Sequence, residues 1–379
     1  MIGIHELTWL VMTGGLTFGL LLAMGTALRP AIAERLQLEE SAVEGLFAAW
    51  QLAFVPALFL AGLLVDSWGV KPIACLGLLL GAFGIAGLAL DKSIPGTLGA
   101  IIVTAIAAGC VGVSTAVMMP QAFFANDETA STNLGFVFFG LGALLAPQLT
   151  ASLIRALGSR RGICLVACWC LVPGFLAAFT SSESYPRPEV AIDTTSLLAN
   201  PLVWVAALVV ALYTLLEGLL GPDARPYFTE VGLAPPRQAL VITFGWLAFL
   251  ASRLLVGFLH HQQLLSSDSD PWVIVLLAAI GAIALGNLAG THSLGNAIGG
   301  AILMGFLLGP ILPTIVGYVF KHVSLSGTAF GTVYAVGVAT SLVAAPTKKA
   351  LIAPRSGMIF LTGAAVLLAV GALALAVMG

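Results

Sequence analysis

The sequence predicts an all-α membrane protein with twelve transmembrane helices in two pseudosymmetric six-helix bundles. Three observations support this fold class. The chain is 59% hydrophobic and only 8% charged, whereas soluble domains carry roughly a quarter charged residues. Its apolar residues form long unbroken runs, each able to cross a bilayer as a helix, without the period-two alternation of a membrane barrel. The order of these runs and of their motifs also repeats once along the chain.

The apolar runs follow one another with short polar intervals between them. The predicted spans are 7–28, 42–65, 72–90, 96–119, 133–154, 162–180, 200–220, 238–259, 271–290, 296–320, 327–347 and 356–378. The longest polar interval, 181–199, holds two prolines and three acids. We therefore expect an amino-terminal six-helix bundle over 1–180, a linker over 181–199 and a carboxy-terminal six-helix bundle over 200–379.

Short motifs recur at equivalent points of the two halves. The segment from Gly62 to Asp66 after span two is matched by the segment from Gly257 to His261 after span eight, so a histidine stands in the acidic position. Two proline motifs are repeated as well: Ala146-Pro147 as Ala345-Pro346, and Met119-Pro120 as Leu312-Pro313. A duplication of this kind is typical of transporters that hold their solute between two repeats.

The turn between spans two and three is the most specific motif. It runs Gly62-Leu63-Leu64-Val65-Asp66-Ser67-Trp68-Gly69-Val70-Lys71-Pro72. The pattern G-x-L-x-D-x-x-G-x-K resembles the signature loop of the major facilitator superfamily, with Ser67 and Val70 in place of two usual basic residues. The resemblance implies the major facilitator fold and a secondary transporter that works by alternating access.

The same resemblance implies gating roles for the turn. We expect Asp66, Gly62, Gly69 and Lys71 to form a gate. The Asp66 carboxylate should cap the amino end of span eleven near Ser326-Gly327 through the helix dipole.

The distribution of basic residues opposes the orientation that the resemblance implies. An integral protein of the bacterial inner membrane with both termini in the cytoplasm would place three loop Lys/Arg residues inside and eleven outside. The positive-inside rule predicts the reverse. We keep the cytoplasmic termini because the turn and the duplication are more specific than a charge count.

Polar side chains within the spans avoid spans three, six, nine and twelve. Polar groups inside a membrane face the bundle interior or a wet cavity. The four spans that lack them should therefore face lipid, and the other eight should surround a central path.

Arg253 in span eight is a candidate substrate-binding residue. An arginine within a span costs about 3 kcal/mol on insertion scales, so it needs a partner or water. Trp246 and Phe249 lie on the same helix face and would line a pocket with it. One hypothesis is a guanidinium fork for a carboxylate or phosphate; the other is a structural arginine that is paired or snorkels. In the oxalate/formate and monocarboxylate branches that the chain resembles, an arginine in this span binds the substrate anion.

Glu217 is the one acid well inside a predicted span, and Tyr213 lies one turn before it. The spacing Tyr213-x-x-x-Glu217 resembles the sugar- and fucose-permease-like branches, where such an acid faces the cavity. A buried carboxylate can exchange a proton during transport. The alternative is a Glu217–Arg253 ion pair with no transport role.

Three further polar residues complete the candidate substrate site. Lys348 resembles a substrate-contacting lysine of the oxalate-exchanger branch, although snorkelling to the membrane surface is the stronger interpretation. Gln51 and Gln148 either bind a hydroxylated solute or bridge helices.

The sequence favours a secondary transporter for a small polar solute, with an organic anion ahead of a sugar and a non-transporting receptor or scaffold as a remote alternative. No span contains H-E-x-x-H, G-x-S-x-G or an aspartate pair, so we do not expect an enzyme. The net charge of −2 gives no electrostatic case for nucleic acid. We expect no cofactor and no metal beyond a coupling proton or cation. The expected partners are a small-molecule substrate and the lipid bilayer, and we expect a monomer.

Overall fold

A computed structural model describes residues 2–124, 127–181, 185–186, 193–221, 224–291, 293–323, 325–350 and 354–378. Over these residues the chain is almost entirely helical. The α-helices, numbered in chain order, are α1 Ile2–Ala23, α2 Gly25–Leu36, α3 Glu40–Trp68, α4 Val70–Leu90, α5 Ile94–Ala122, α6 Glu128–Leu157, α7 Ser159–Trp169, α8 Leu171–Phe179, α9 Thr194–Ala199, α10 Pro201–Glu217, α11 Arg225–Glu230, α12 Pro235–His261, α13 Asp270–Gly290, α14 Leu294–Leu308, α15 Ile311–His322, α16 Gly327–Ala350 and α17 Pro354–Met378.

The membrane spans confirm the predicted fold class. Within the described residues, eleven segments are helical and apolar over a length that can cross a membrane. Span six consists of α7 and α8 on either side of Cys170, and span ten consists of α14 and α15 on either side of Gly309-Pro310. Helix α16 occupies the position of the predicted eleventh span.

Three short helices were not predicted. Helix α2 begins at Gly25 within the predicted first span and continues through the polar interval after it, so the first transmembrane helix α1 ends earlier than predicted, at Ala23. Helix α9 lies in the interval predicted as the linker, and α11 lies between the predicted spans seven and eight. Helix α2 is tied to α4 because the Arg35 guanidinium donates to the Leu88 carbonyl. Burial lowers the pKa of the Arg35 guanidinium, and the nearby Asp91 carboxylate opposes that shift.

The helices form two compact units. The first contains Met1–Ala125, Gly135–Thr194 and Leu325–Ala335, and the second contains Asn126–Leu134, Thr195–Ser324 and Val336–Gly379. The first turns of α6 therefore pack within the second unit, and the first turns of α16 pack within the first.

The core of the first unit surrounds α5, one of the most buried spans of the described chain. Small residues allow close packing there: a Cβ added to Gly77 would lie 2.7 Å from the Cβ of Cys110. The five cysteines are all free thiols. Aromatic rings fill the space beside α5, with Phe18 5.0 Å from Phe139 and Trp50 4.6 Å from Phe54 between ring centroids.

The core of the second unit surrounds α14 and α15. Helix α12 packs against α14 at glycines, because a Cβ added to Gly305 would lie 2.2 Å from the Gly245 carbonyl oxygen. A Cβ added to Gly309 would lie 2.3 Å from the Phe249 carbonyl oxygen. The chain thus needs glycine at this seam, where the backbones of α12 and α14 approach each other.

The polypeptide after α8 is attached to the turn at Lys71. The Lys71 ammonium donates to the Thr180 carbonyl at 2.8 Å and lies 5.9 Å from the centroid of the Tyr185 ring. The Tyr185 hydroxyl donates to the Ala177 carbonyl at 2.7 Å. Burial raises the pKa of the Tyr185 phenol. These contacts fix the path of the chain as it leaves the sixth span.

Candidate functional site

The candidate site in the second unit begins at the end of α10. The Tyr213 hydroxyl donates to the Glu217 carboxylate at 2.9 Å. Tyr213 has no exposed surface, whereas Glu217 is partly exposed. The backbone continues from Glu217 into a 3-10 turn over Gly218–Leu220. The Trp246 indole donates to the Leu220 carbonyl at 2.7 Å, so α12 holds this turn in place.

Arg253 lies on the buried face of α12, one turn after Phe249. Its side chain has no exposed surface. The guanidinium carbon lies 4.1 Å from the centroid of the Phe249 ring, and Nε donates to the Gly309 carbonyl at 2.7 Å. Trp246 packs edge-on against Phe249 with 5.0 Å between centroids. Arg253 also acts electrostatically on Glu217.

A proline explains why the Gly309 carbonyl needs a side-chain donor. In an α-helix this oxygen would accept the backbone N–H four residues later, but that residue is Pro313, which has no N–H. An unpaired carbonyl inside a membrane protein is costly. The Arg253 Nε–H fills the place of the missing donor. The signal in the sequence is the spacing of Gly309 and Pro313, but the sequence does not show which side chain reaches the gap.

The candidate gate lies in the first unit. Helix α3 ends at Trp68, and Gly69 follows with φ +91°, a conformation that favours glycine. The Asp66 carboxylate accepts from the Gly327 N–H at 2.7 Å and from the Thr328 N–H at 2.9 Å. The Ser326 hydroxyl donates to it at 2.6 Å. The predicted contact between Asp66 and the first turn of α16 is therefore present, and its gating role stays a prediction.

Glycine makes this contact possible. A Cβ added to Gly62 would lie 2.4 Å from the Gly327 carbonyl oxygen and 2.8 Å from the Thr328 Cα. Helices α3 and α16 thus touch through their backbones one turn before Asp66. Lys71, the last predicted gating residue, binds the Thr180 carbonyl instead of α16.

The family profile that matches this chain is described as the Major Facilitator Superfamily, and it covers residues 10–346. The chain belongs to the Major Facilitator Superfamily. It is thus an integral membrane transporter with a small-molecule substrate. Comparison with curated protein sequences finds no significant match.

Solved structures of other facilitators share the fold of this transporter. The fucose:proton symporter FucP of E. coli superposes with a TM-score of 0.79 at 14% identity, over 98% of this chain and 99% of that chain. The human organic anion transporter MFSD10 superposes with a TM-score of 0.74 at 16% identity, over 97% of this chain and 99% of that chain. The proton:xylose symporter XylE superposes with a TM-score of 0.72 at 14% identity, over 97% of this chain and 94% of that chain. At these identities the likeness concerns the fold alone.

The remaining candidate substrate residues of this transporter are Gln51, Gln148 and Lys348. Gln51 on α3 and Gln148 on α6 are both exposed and belong to the first unit. Lys348 lies on α16, and its side chain is outside the part of the chain that the structure describes. The aromatic cluster of Phe18, Phe139 and their neighbours was not predicted from the sequence, since its members come from separate spans.

Proposed function

We propose that this facilitator carries a small hydroxylated solute by alternating access, in symport with a proton that Glu217 binds and releases. The supporting observation is the contrast between the two ionisable groups of the second unit. Glu217 is partly exposed and accepts a hydrogen bond from Tyr213. Arg253 has no exposed surface, and its Nε is committed to the Gly309 carbonyl.

The chemistry of Glu217 suits a proton site. A carboxyl group at membrane depth can alternate between its neutral and charged forms when its access to water changes. The Tyr213 hydroxyl can donate to the charged form and remain in place when the acid is neutral. The positive charge of Arg253 stabilises the ionised form of the Glu217 carboxylate.

The test uses the purified protein in proteoliposomes that contain a pH-sensitive dye. A panel of sugars, sugar alcohols and organic acids is added outside, and the internal pH is recorded. We expect a hydroxylated solute to acidify the lumen of wild-type vesicles. Glu217→Gln should abolish solute-driven acidification while exchange of labelled solute continues. The control is Glu230→Gln, which changes an exposed acid at the end of α11. Acidification that survives Glu217→Gln would refute the proton role.

The second candidate is the organic anion transporter that the sequence favoured. Its support is the buried positive charge of Arg253 in the same unit as Glu217. In the same vesicles this candidate predicts uptake of organic acids that Arg253→Ala abolishes. Anion uptake that continues in that variant would exclude it. Lack of uptake for every compound of the panel would favour a receptor.

A further inference from the structure

The turn between α6 and α7 concentrates positive charge. Arg155 lies in the last turn of α6, and Arg160 and Arg161 lie in the first turn of α7. Between Glu128 and Glu183 the sequence contains these three basic residues and no acid. The charge of this long segment is therefore gathered at a single point, which we call the arginine turn (residues 155–161).

Glycines bring the two helices of the arginine turn together. Gly158 separates α6 from α7 and has φ +79°, a conformation that favours glycine. A Cβ added to Gly162 would lie 2.7 Å from the Leu153 carbonyl oxygen. The end of α6 and the beginning of α7 thus touch through their backbones, and the three arginines belong to the same end of this helix pair.

The guanidinium groups of the arginine turn have no acidic partner among the residues that the structure describes. Arg160 and Arg161 are exposed. Arg155 is exposed as well and only turns back along α6, where it donates to the Ala151 carbonyl and the Ser152 hydroxyl at 3.4 Å each. The ion pairs of the described residues lie elsewhere, at His260 and at Lys321.

Helix α4, which packs against α7, does not supply the missing acid. It is followed by Asp91, whose carboxylate accepts the N–H and the hydroxyl of Ser93 at 2.7 and 2.8 Å. The basic residue that acts electrostatically on Asp91 is Arg35. The arginine turn therefore presents uncompensated positive charge.

The arginine turn lies at the membrane surface, directly above a face that meets lipid. It joins two segments that are each long and apolar enough to cross a membrane, Glu128–Leu157 and Ser159–Phe179. Arg161, Leu165 and Trp169 follow one another at intervals of four residues and so share one face of α7. Leu165 is 50% exposed and Trp169 is 36% exposed. Acyl chains that cover these two side chains place their headgroups at the level of Arg161.

The chemistry of the arginine turn selects a negatively charged phosphate. A guanidinium group binds phosphate oxygens through two parallel N–H donors. The amino end of α7 adds a partial positive charge, since no side chain caps it. In a zwitterionic lipid the headgroup's own ammonium competes with the arginines for the phosphate, whereas an anionic lipid leaves the phosphate to them.

We propose that the arginine turn is a binding site for an anionic phospholipid. Arg160 and Arg161 hold the phosphate, Arg155 adds positive charge beside it, and an acyl chain lies along Leu165 and Trp169. The site is separate from Glu217 and from the Asp66 contact, because its residues belong to neither.

Native mass spectrometry tests the proposal by counting lipids on the full-length protein. The protein is purified in a charge-neutral detergent, freed of lipid and titrated with phosphatidylglycerol. A parallel titration uses phosphatidylcholine with the same acyl chains. We expect the first phosphatidylglycerol to bind more tightly than the first phosphatidylcholine, and equal affinities would overturn the proposal.

The decisive variant carries Arg160→Gln and Arg161→Gln. Its affinity for phosphatidylglycerol should fall roughly 30-fold, because each basic residue beside an anionic headgroup contributes about fivefold. Its affinity for phosphatidylcholine should not change. Both positions are exposed, and glutamine has nearly the helix propensity of arginine, so the variant should fold. An unchanged affinity for phosphatidylglycerol would overturn the proposal.

The matched control carries Arg225→Gln and Arg237→Gln. These substitutions remove the same charge from two exposed arginines of the second unit and should leave the first phosphatidylglycerol bound as in the wild type. An equal loss in both double variants would show attraction by net charge alone and would overturn the proposed site.

A competition experiment separates a lipid from a soluble phosphate. Glycerol 3-phosphate carries the phosphate without acyl chains, and it should not displace phosphatidylglycerol at equal concentration. Displacement would identify the ligand as a soluble phosphate and would overturn the assignment to a lipid. No transported solute is needed, so the outcome is separate from that of the proposed transport reaction.

Discussion

Gly62→Ala is predicted to open the contact between α3 and α16. The added Cβ would lie 2.4 Å from the Gly327 carbonyl oxygen, whereas real Cβ contacts stay at 3.0 Å or more. The atoms that the added Cβ would meet belong to the backbone of Gly327 and Thr328 and cannot rotate away. The two helices must therefore separate by about 0.6 Å to relieve the overlap. The 2.7 Å hydrogen bond from the Gly327 N–H to Asp66, one turn away, must lengthen accordingly.

The size of the effect follows from two terms. Overpacking of a close contact costs about 1–3 kcal/mol, and each weakened hydrogen bond to a charged group adds a part of its roughly 1.5–3 kcal/mol. Alanine has a higher helix propensity than glycine, which offsets up to about 1 kcal/mol of this cost. We expect the contact to weaken by about 1–2 kcal/mol, which raises the population of its open form roughly 5–30-fold.

The assay is alkylation of Thr332→Cys, one turn beyond the contact on the buried face of α16, where Thr332 is 4% exposed. The labelling rate follows the open population when opening is fast relative to alkylation. The control is Gly45→Ala on the same helix, where an added Cβ meets nothing within 4 Å. Equal labelling rates in the Gly62→Ala and Gly45→Ala variants would refute the argument.

Two further predictions concern the role of Arg253 and the response to acid. Arg253→Ala should lower the free energy of unfolding by about 3 kcal/mol or more. Adding Pro313→Ala should reduce this loss by about 1 kcal/mol, because the new backbone N–H can bind the Gly309 carbonyl. Additive losses of the two substitutions in thermal unfolding would contradict the inference that Arg253 replaces the N–H that Pro313 lacks. The Ser93 N–H and hydroxyl, both bonded to the Asp91 carboxylate, lower its pKa. The stability that these hydrogen bonds contribute is present above about pH 4 and is lost below it. The melting temperature of Asp91→Asn should therefore fall less than that of the wild type as the pH is lowered below about 4. An equal fall in both proteins would contradict the role given to Asp91.

The sequence predicted the membrane spans well because long apolar runs leave few alternatives. It also predicted the contact of Asp66 with the first turn of α16. A carboxylate beside a glycine turn is a local signal, and helix amino ends attract anions. The family resemblance pointed to the helix that begins at Gly327. The contact of Asp66 was therefore predictable from the sequence, and its gating role stays a prediction.

The sequence was less informative where a side chain fills a gap made elsewhere. The spacing of Gly309 and Pro313 shows an unpaired carbonyl, but only the packing of α12 brings Arg253 to it. The repeat places His261 opposite Asp66 in the alignment of the halves. The structure instead buries His260, which shares a helix face with Arg253 at a spacing of seven residues, and leaves His261 exposed.

The contacts around Tyr185 bear on how the chain could be expressed as two pieces. A break placed directly after α8 would deprive Lys71 of the ring beside it and the Ala177 carbonyl of its donor. A break after Pro186 would keep both with the amino-terminal piece. The useful site for splitting or tagging this protein therefore lies a few residues beyond the last apolar residue of the sixth span, and not at its end.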